Sequence, residues 1–308
     1  MAATATTGGV TRSARGTLFG ARIREAGWGY AFVAVPMAVF GVFFVYPLGY
    51  AIYISLYNWG IFGPPAGSKA GFGNYHQVLS DPIFHTAIKN ILEYTVGVVP
   101  LEMALGLSLA LIVNAKIRAR TFFRAAFYFP SIASSVAITT IAIYMLSSDG
   151  LFNRVVGGHR PWFSTPSTAI WSIVGLNAWT TAGTVMIFYL AALQSIPTDV
   201  YEAAAVDGTS GFRTFWKITF PLLRPAHFFV IVLFGTGALK LFDQAFIVSG
   251  GSGGPAYATY TPVLYVYRTG LGGNGQFGLA AAAGTIFFVA IFILTLGTRF
   301  TVGRGQSL

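Results

Sequence analysis

From Trp28 to Tyr57 the chain runs for thirty residues without one charged side chain. Lipid offers no partner to a backbone N–H or C=O, so such a stretch crosses a membrane as a helix that satisfies its own backbone. Crossing the hydrocarbon takes about 20 mostly apolar residues. Six stretches reach that length, at about 29–57, 87–114, 125–146, 168–194, 226–249 and 277–300. The first is far longer than the apolar core of a cleaved secretion signal, about 7 to 15 residues. No small-residue cleavage site stands out after it, so it is expected to stay as a spanning helix. The expected architecture is an all-α integral membrane protein with six transmembrane helices.

Charged residues make up only 9% of the 308 positions, against about 25% in soluble domains. A net charge of +10 would point to nucleic acid in a soluble chain. Here the basic side chains sit between apolar runs, where membrane orientation explains them, and no nucleic-acid partner is expected. Cysteine is absent, which excludes disulfides and thiolate metal centres. An even number of spans puts both termini on one side, and Lys and Arg mark the inner side. Thirteen of the nineteen basic residues fall in four groups: before the first span, after the second (Lys116, Arg118, Arg120, Arg124), after the fourth (Arg213, Lys217, Arg224) and at the end of the sixth (Arg299, Arg304). The layout is therefore a cytoplasmic tail at 1–27, a membrane domain at 28–301 with a cytoplasmic loop at 195–225, and a cytoplasmic tail at 302–308.

Within that loop, "EAAAVDGTSGFRTFWKITFPLLRP" carries more charge than a connector needs. Ser195 or Thr198 as a cap, Pro197 near the first turn and Gly208 as a stop predict a short helix near 198–207. A second helix is predicted from Ser210 to Pro221, with Phe212, Phe215, Trp216 and Phe220 on one face. Helices this short are marginal alone in water. They pack either under their own bundle or against a cytoplasmic partner.

Glu202, Ala203 and Ala204, then Gly208 after three further residues, then Ile218 and Phe220–Pro221, resemble the EAA loop of binding-protein-dependent ABC importer permeases. Phe220 departs from the usual leucine. "GFGNYHQVLSDPIFHTAIKN", "GLSLALIVNAKIRARTFFRAAFYFP" and "LFDQAFIVSGGSGGP" extend the likeness to the sugar-importing branch, the half like the larger maltose-transporter permease and its lactose and glycerol-phosphate relatives. The resemblance implies a type I importer fold of the shorter kind, without the maltose protein's large external domain. It implies that Glu202, Ala203, Ala204, Asp207, Gly208, Ile218 and Pro221 couple the chain to an ATPase, with Ala203 and Ala204 as a small flat docking face. The implied partners are a second permease subunit, two ATP-binding subunits and an extracytoplasmic solute-binding protein. ATP and Mg would then sit on the ATP-binding subunits, with no cofactor on this chain.

Polar side chains inside spans face the bundle or a water-filled cavity. Asn177, Thr180, Thr181 and Thr184 fall at i, i+3, i+4 and i+7 on the fourth span, and Thr236, Lys240, Asp243 and Gln244 nearly repeat that spacing on the fifth. Both stripes suit either interhelical hydrogen bonds or a solute rich in hydroxyls, and the resemblance favours the solute. Lys240 and Asp243 are expected to neutralise each other across one helical turn, or else to hold an anionic group. Glu102 reads as an internal hydrogen-bonding residue, Glu93 as lying near the outer mouth, and Pro130 as a breaker of the third span followed by serines that could line the bundle. The Gly-rich "SGGSGGPAYATY" lies on the side of a solute-binding protein.

Catalytic signatures are missing. His76, His85, His159 and His227 are scattered without ligand spacing, and no Walker A motif or nucleophile elbow occurs. ATP would have to be hydrolysed on another chain. Importing a glycerol phosphate or other polyol derivative, acting on a lipid-linked sugar, or working as a secondary transporter are the competing readings. The last two would want paired interfacial acids or an inverted repeat.

Overall fold

The computed structural model describes residues 13–302 apart from 66–67, 116–117 and 274, with side chains described between Gly27 and Gly297. All regular structure among the described residues is helical. Residues 1–53 form one unit and 54–308 a second. In the first, α1 (Ser13–Phe40) runs through a π turn at Gly41–Val45 into α2 (Tyr46–Ser55). The apolar stretch Gly27–Ser55 is long enough to cross a membrane.

The second unit is organised around two long helices. After α3 (Gly73–Ser80), α4 (Pro82–Asn114) starts where Asp81 accepts a hydrogen bond from the Ile83 N–H at 2.8 Å, with Pro82 in the first-turn position that needs no donor. Then come α5 (Arg120–Ile132), α6 (Ser135–Met145), the short α7 (Leu151–Val156) and the 29-residue α8 (Pro166–Gln194). Alternating apolar faces bury Leu107, Ala110 and Val113 of α4 against Val185, Met186, Tyr189 and Leu193 of α8. Near the start of α4, Ile91, Tyr94 and Val98 meet Ile170, Ile173 and Val174 in the same way. Glycine sets how close these helices come. A Cβ on Gly106 would lie 2.4 Å from Val185 Cγ1, and one on Gly183 would lie 2.2 Å from the Phe127 carbonyl oxygen.

Two spans depart from the sequence reading. The third, expected over 125–146, is two helices bent by 92° at Ala133–Ser134. Pro130 does not break it, because α5 continues to Ile132. The two halves have different anchors instead: α5 packs on α8, while α6 packs on α13 (Asp243–Ser249). Counted with that bent pair as one crossing, up to six described segments are long and apolar enough to span, the other five being Gly27–Ser55, Pro82–Asn114, Pro166–Gln194, Arg224–Ser249 and Phe277–Gly297.

The fifth span is interrupted as well. Following α9 (Thr198–Val206), α10 (Gly211–Thr214) and α11 (Phe220–Leu222), α12 (Arg224–Ala238) is separated from α13 by four residues. The ladder tightens there, with Lys240 N–H donating to Gly237 and Leu241 N–H to Ala238, and the Leu241 carbonyl is answered by the Thr261 hydroxyl at 2.9 Å. Lys240 thus lies in an irregular link rather than on a continuous helical face. Beyond the loop that follows α13, α14 (Pro262–Gly270) packs on α15 (Phe277–Val302).

Candidate functional site

A polar cavity opens between the bent third span and α8. It measures about 290 Å³ and is lined by Ser131, Ser135, Thr139, Asn177, Thr180, Thr181, Thr184 and Gln244. An adjoining cavity of about 390 Å³ shares Asn177, Thr181 and Gln244 and adds Tyr94, Glu102, Lys240 and Asp243. The bend at Ala133–Ser134 brings serine side chains to the cavity wall, and the break before α13 sets Asp243 and Gln244 opposite them.

The polar groups hold one another in place. Asn177 Nδ2 donates to the Tyr94 hydroxyl at 2.6 Å, Ser131 Oγ to the Thr180 carbonyl at 2.6 Å, and Ser135 Oγ to Asp243 Oδ2 at 3.0 Å. Thr181 shares the second cavity with Glu102, which is buried. Seven of the eight sequence-predicted pathway residues therefore come together in these two cavities. Thr236 does not. It lines a separate apolar cavity with Thr95, Pro100 and Leu294, and its hydroxyl is taken up by the Val232 carbonyl one turn back.

The expected neutralisation of Lys240 by Asp243 is not formed. The break between α12 and α13 removes the regular i, i+3 spacing, and the Asp243 carboxylate accepts from Ser135 instead. Among the described residues the structure's ion pair is His159 with Asp149 at 3.5 Å, both highly exposed, an arrangement worth little in water. Thr139 completes the first cavity, and Tyr94 and Glu102 the second. Tyr94 and Glu102 stand eight residues apart on α4, two turns along one face, and that spacing was the available signal.

At the other end of α8 the loop folds as two short helical pieces. α9 runs to Val206, and Gly208 follows at φ +67°, a left-handed conformation that side chains with a Cβ resist. The predicted caps are not used: Pro197 occupies the N-cap position, Ser195 bonds the Ala192 carbonyl, and Thr198 turns to Asp199. Nor do Ala203 and Ala204 share an open face. Ala204 is buried, and its carbonyl accepts both the N–H and the hydroxyl of Thr209. Glu202, Ala203, Val206 and Asp207 remain exposed. In the second piece Ser210 accepts from the Arg213 N–H, and a π turn over Phe215–Thr219 closes with Phe220 N–H donating to Phe215. That extra residue per turn lets the rings of Phe215 and Phe220, five positions apart, meet at 6.0 Å.

One histidine ties this loop to the spans. Pro225 has no N–H, and α12 starts afresh at Arg224, so the ladder is interrupted where the loop enters the membrane domain. His227 closes the gap. One ring nitrogen lies 3.3 Å from the Phe220 carbonyl oxygen and the other 2.8 Å from the hydroxyl of Tyr189, which is fully buried on α8. The His227 ring also lies 4.5 Å from that of Phe220. Ile218 and Pro221 are half-buried beside this junction.

Residues 102–302 match the family model of the binding-protein-dependent transport system inner membrane component. The chain belongs to that family. Among its relatives, the lactose transport system permease protein LacF of Rhizobium radiobacter is 33% identical over 87% of this chain and 91% of its own length. The trehalose/maltose transport system permease protein MalF of Thermococcus litoralis is 32% identical over 92% and 96%. The multiple sugar-binding transport system permease protein MsmF of Streptococcus mutans is 32% identical over 87% and 93%. Among solved structures, a bacterial ABC transporter involved in the import of the acidic polysaccharide alginate superposes with a TM-score of 0.80 at 23% identity, covering 94% of this chain and 99% of that one. At that identity the likeness speaks to fold, and the expected all-α importer-permease fold holds. This family member is a multi-pass protein of the plasma membrane.

Proposed function

We propose that this chain is a permease subunit that passes a sugar inward, driven by ATP hydrolysis on separate subunits. The observation that carries the reading is the pairing, in one chain, of a hydroxyl- and amide-lined cavity between α6, α8 and α13 with a loop whose exposed short helix is wired back to α8 through His227. Sugars present hydroxyls, and Asn, Gln, Ser and Thr meet them as both donors and acceptors. The relatives are named as transporters of lactose, of trehalose and maltose, and of multiple sugars.

On this reading the termini and loop are cytoplasmic, and the exposed Glu202, Ala203 and Val206 of α9 seat in a groove of an ATP-binding subunit. ATP and Mg stay on that subunit, and this chain carries no enzymatic step of its own. A second permease subunit supplies the facing half of the pathway, and a solute-binding protein delivers sugar from outside. A solved alginate importer has been captured in complex with an alginate pentasaccharide-bound periplasmic protein, which supports that last partner. The test is uptake of labelled lactose, maltose and trehalose into liposomes holding the complete complex. The reading expects uptake of at least one sugar that needs both internal ATP and the external binding protein. ATP-independent uptake driven by an ion gradient would contradict it.

A further inference from the structure

Near the start of α4, at the end of the bundle away from the coupling loop, a third polar cavity is built from four segments. It measures about 550 Å³, larger than either membrane cavity, and takes Gln77 and Asp81 from the end of α3, Tyr257 from the loop after α13, Tyr265 and Arg268 from α14, and Gln276 from just before α15. Nothing in the transport reading uses it.

Its walls are fixed. Asn90, buried on α4, donates to the Tyr257 carbonyl at 2.7 Å and the Tyr260 carbonyl at 3.0 Å. The Tyr265 hydroxyl donates to Asp81 Oδ2 at 2.7 Å, and Arg268 Nη1 donates to the Gly251 carbonyl at 3.1 Å. Burial above all, and then Asp81, raise the Tyr265 hydroxyl beyond the ordinary phenol range, so this donor stays protonated. The loop is also strained. Ala256 at φ 51° and Tyr257 at φ 57° are consecutive non-glycine residues in the left-handed region, a conformation that persists only where the surroundings enforce it. Glycine fills positions 250, 251, 253 and 254 of the same loop at positive φ, yet it is absent from the two positions that hold Tyr257 half-exposed at the cavity.

The chemistry of the wall selects a ligand class. An aromatic ring offers a flat apolar surface to the C–H face of a pyranose, while a carboxylate, a guanidinium and two carboxamides are planar groups that engage pairs of adjacent hydroxyls. One carboxylate and one guanidinium leave no net charge to recruit an anion. The volume falls within the range of about 300 to 1,000 Å³ typical of small-molecule sites. Resting on the reading of the chain as a sugar-importer subunit, we propose that this cavity is a second saccharide subsite, outside the spans, holding a neutral mono- or disaccharide before it enters the membrane cavity.

The test uses the complete complex in nanodiscs without its binding protein, with lactose, maltose and trehalose as probes followed by saturation-transfer NMR, and uptake of the same sugars measured in liposomes. For a sugar that is taken up, Tyr257→Ala and Gln77→Ala should each weaken binding about tenfold, equivalent to about 1.4 kcal/mol. Tyr257→Phe should retain the contact. Binding that survives both substitutions, or that only Thr184→Leu removes, overturns the subsite. So does a sugar that wild type takes up without detectable binding. Tyr257-dependent binding with no uptake of any of the three sugars supports the subsite and strikes at the import reading instead.

Discussion

A threonine hydroxyl on a spanning helix is answered by its own backbone, by a neighbouring helix or by a solute. Thr180 and Thr236 return theirs to the Asn177 and Val232 carbonyls. Thr184 lines the cavity and makes no such hydrogen bond among the described residues. Thr184→Leu should therefore cost little in folding while placing bulk where solute passes, lowering uptake about tenfold with assembly intact. Normal uptake by the variant, measured in liposomes against wild type, would assign Thr184 to packing alone. The fourth-span stripe was legible because α8 is one regular helix, so i, i+3, i+4 and i+7 translate directly into a face. The same arithmetic misplaced Thr236 and wrongly paired Lys240 with Asp243, since the helix ends at Ala238 and the two sides of that break face different surroundings. The Tyr265 hydroxyl, raised by burial, contributes stability that is whole below its unfolded value of about 10 and is lost only as pH rises through its higher folded value. The loop after α13 should hold its structure from about pH 6 to 9, and Tyr265→Phe should remove one tyrosine's share of the alkaline rise in ultraviolet difference absorbance. A loop transition unchanged by that substitution would separate it from Tyr265.

At the scale of elements, what the short helices do depends on their joints. His227 is hydrogen-bonded at once to the end of the loop that precedes α12 and to α8. Replacing it by Phe keeps the ring stack and removes both hydrogen bonds, each worth about 1 kcal/mol. His227→Phe should assemble with the ATPase and retain basal hydrolysis, while the stimulation produced by loaded binding protein falls several-fold. His227→Gln, which keeps a donor and an acceptor, should recover part of it. Equal stimulation in wild type and His227→Phe would reduce the contact to packing. The end of α9 was legible from Gly208 alone, because only a left-handed residue stops the helix there. Its capping was not, since Ser195 and Thr198 have local partners that compete for their hydroxyls. The bend at Ala133–Ser134 also lay beyond the sequence. Pro130 marked the region, but the turning point is set by α5 seating on α8 and α6 on α13, contacts between residues far apart in the chain.

For the whole molecule, the proposed reading puts thirteen of the basic residues between six apolar runs on the cytoplasmic side. A reporter fused after Leu308 should be cytoplasmic, and one inserted at Ser252 external; the reverse pattern would invert the entire layout, including the side from which sugar arrives. With that orientation, the three polar cavities and the loop fall in the order a solute and a mechanical signal require: an outer basin, a membrane cavity and a helix presented to the cytoplasm. Whether the loop is the coupling element is decided by ATP hydrolysis in the reconstituted complex, with and without sugar-loaded binding protein. A Val at Gly208 must take φ near +67°, at a cost of about 1 to 2 kcal/mol, and Glu202→Lys reverses an exposed charge on α9. Both variants should keep the ATPase bound and lose most of the stimulation. Full wild-type stimulation in both, with the ATPase still attached, would show that the loop only connects two spans.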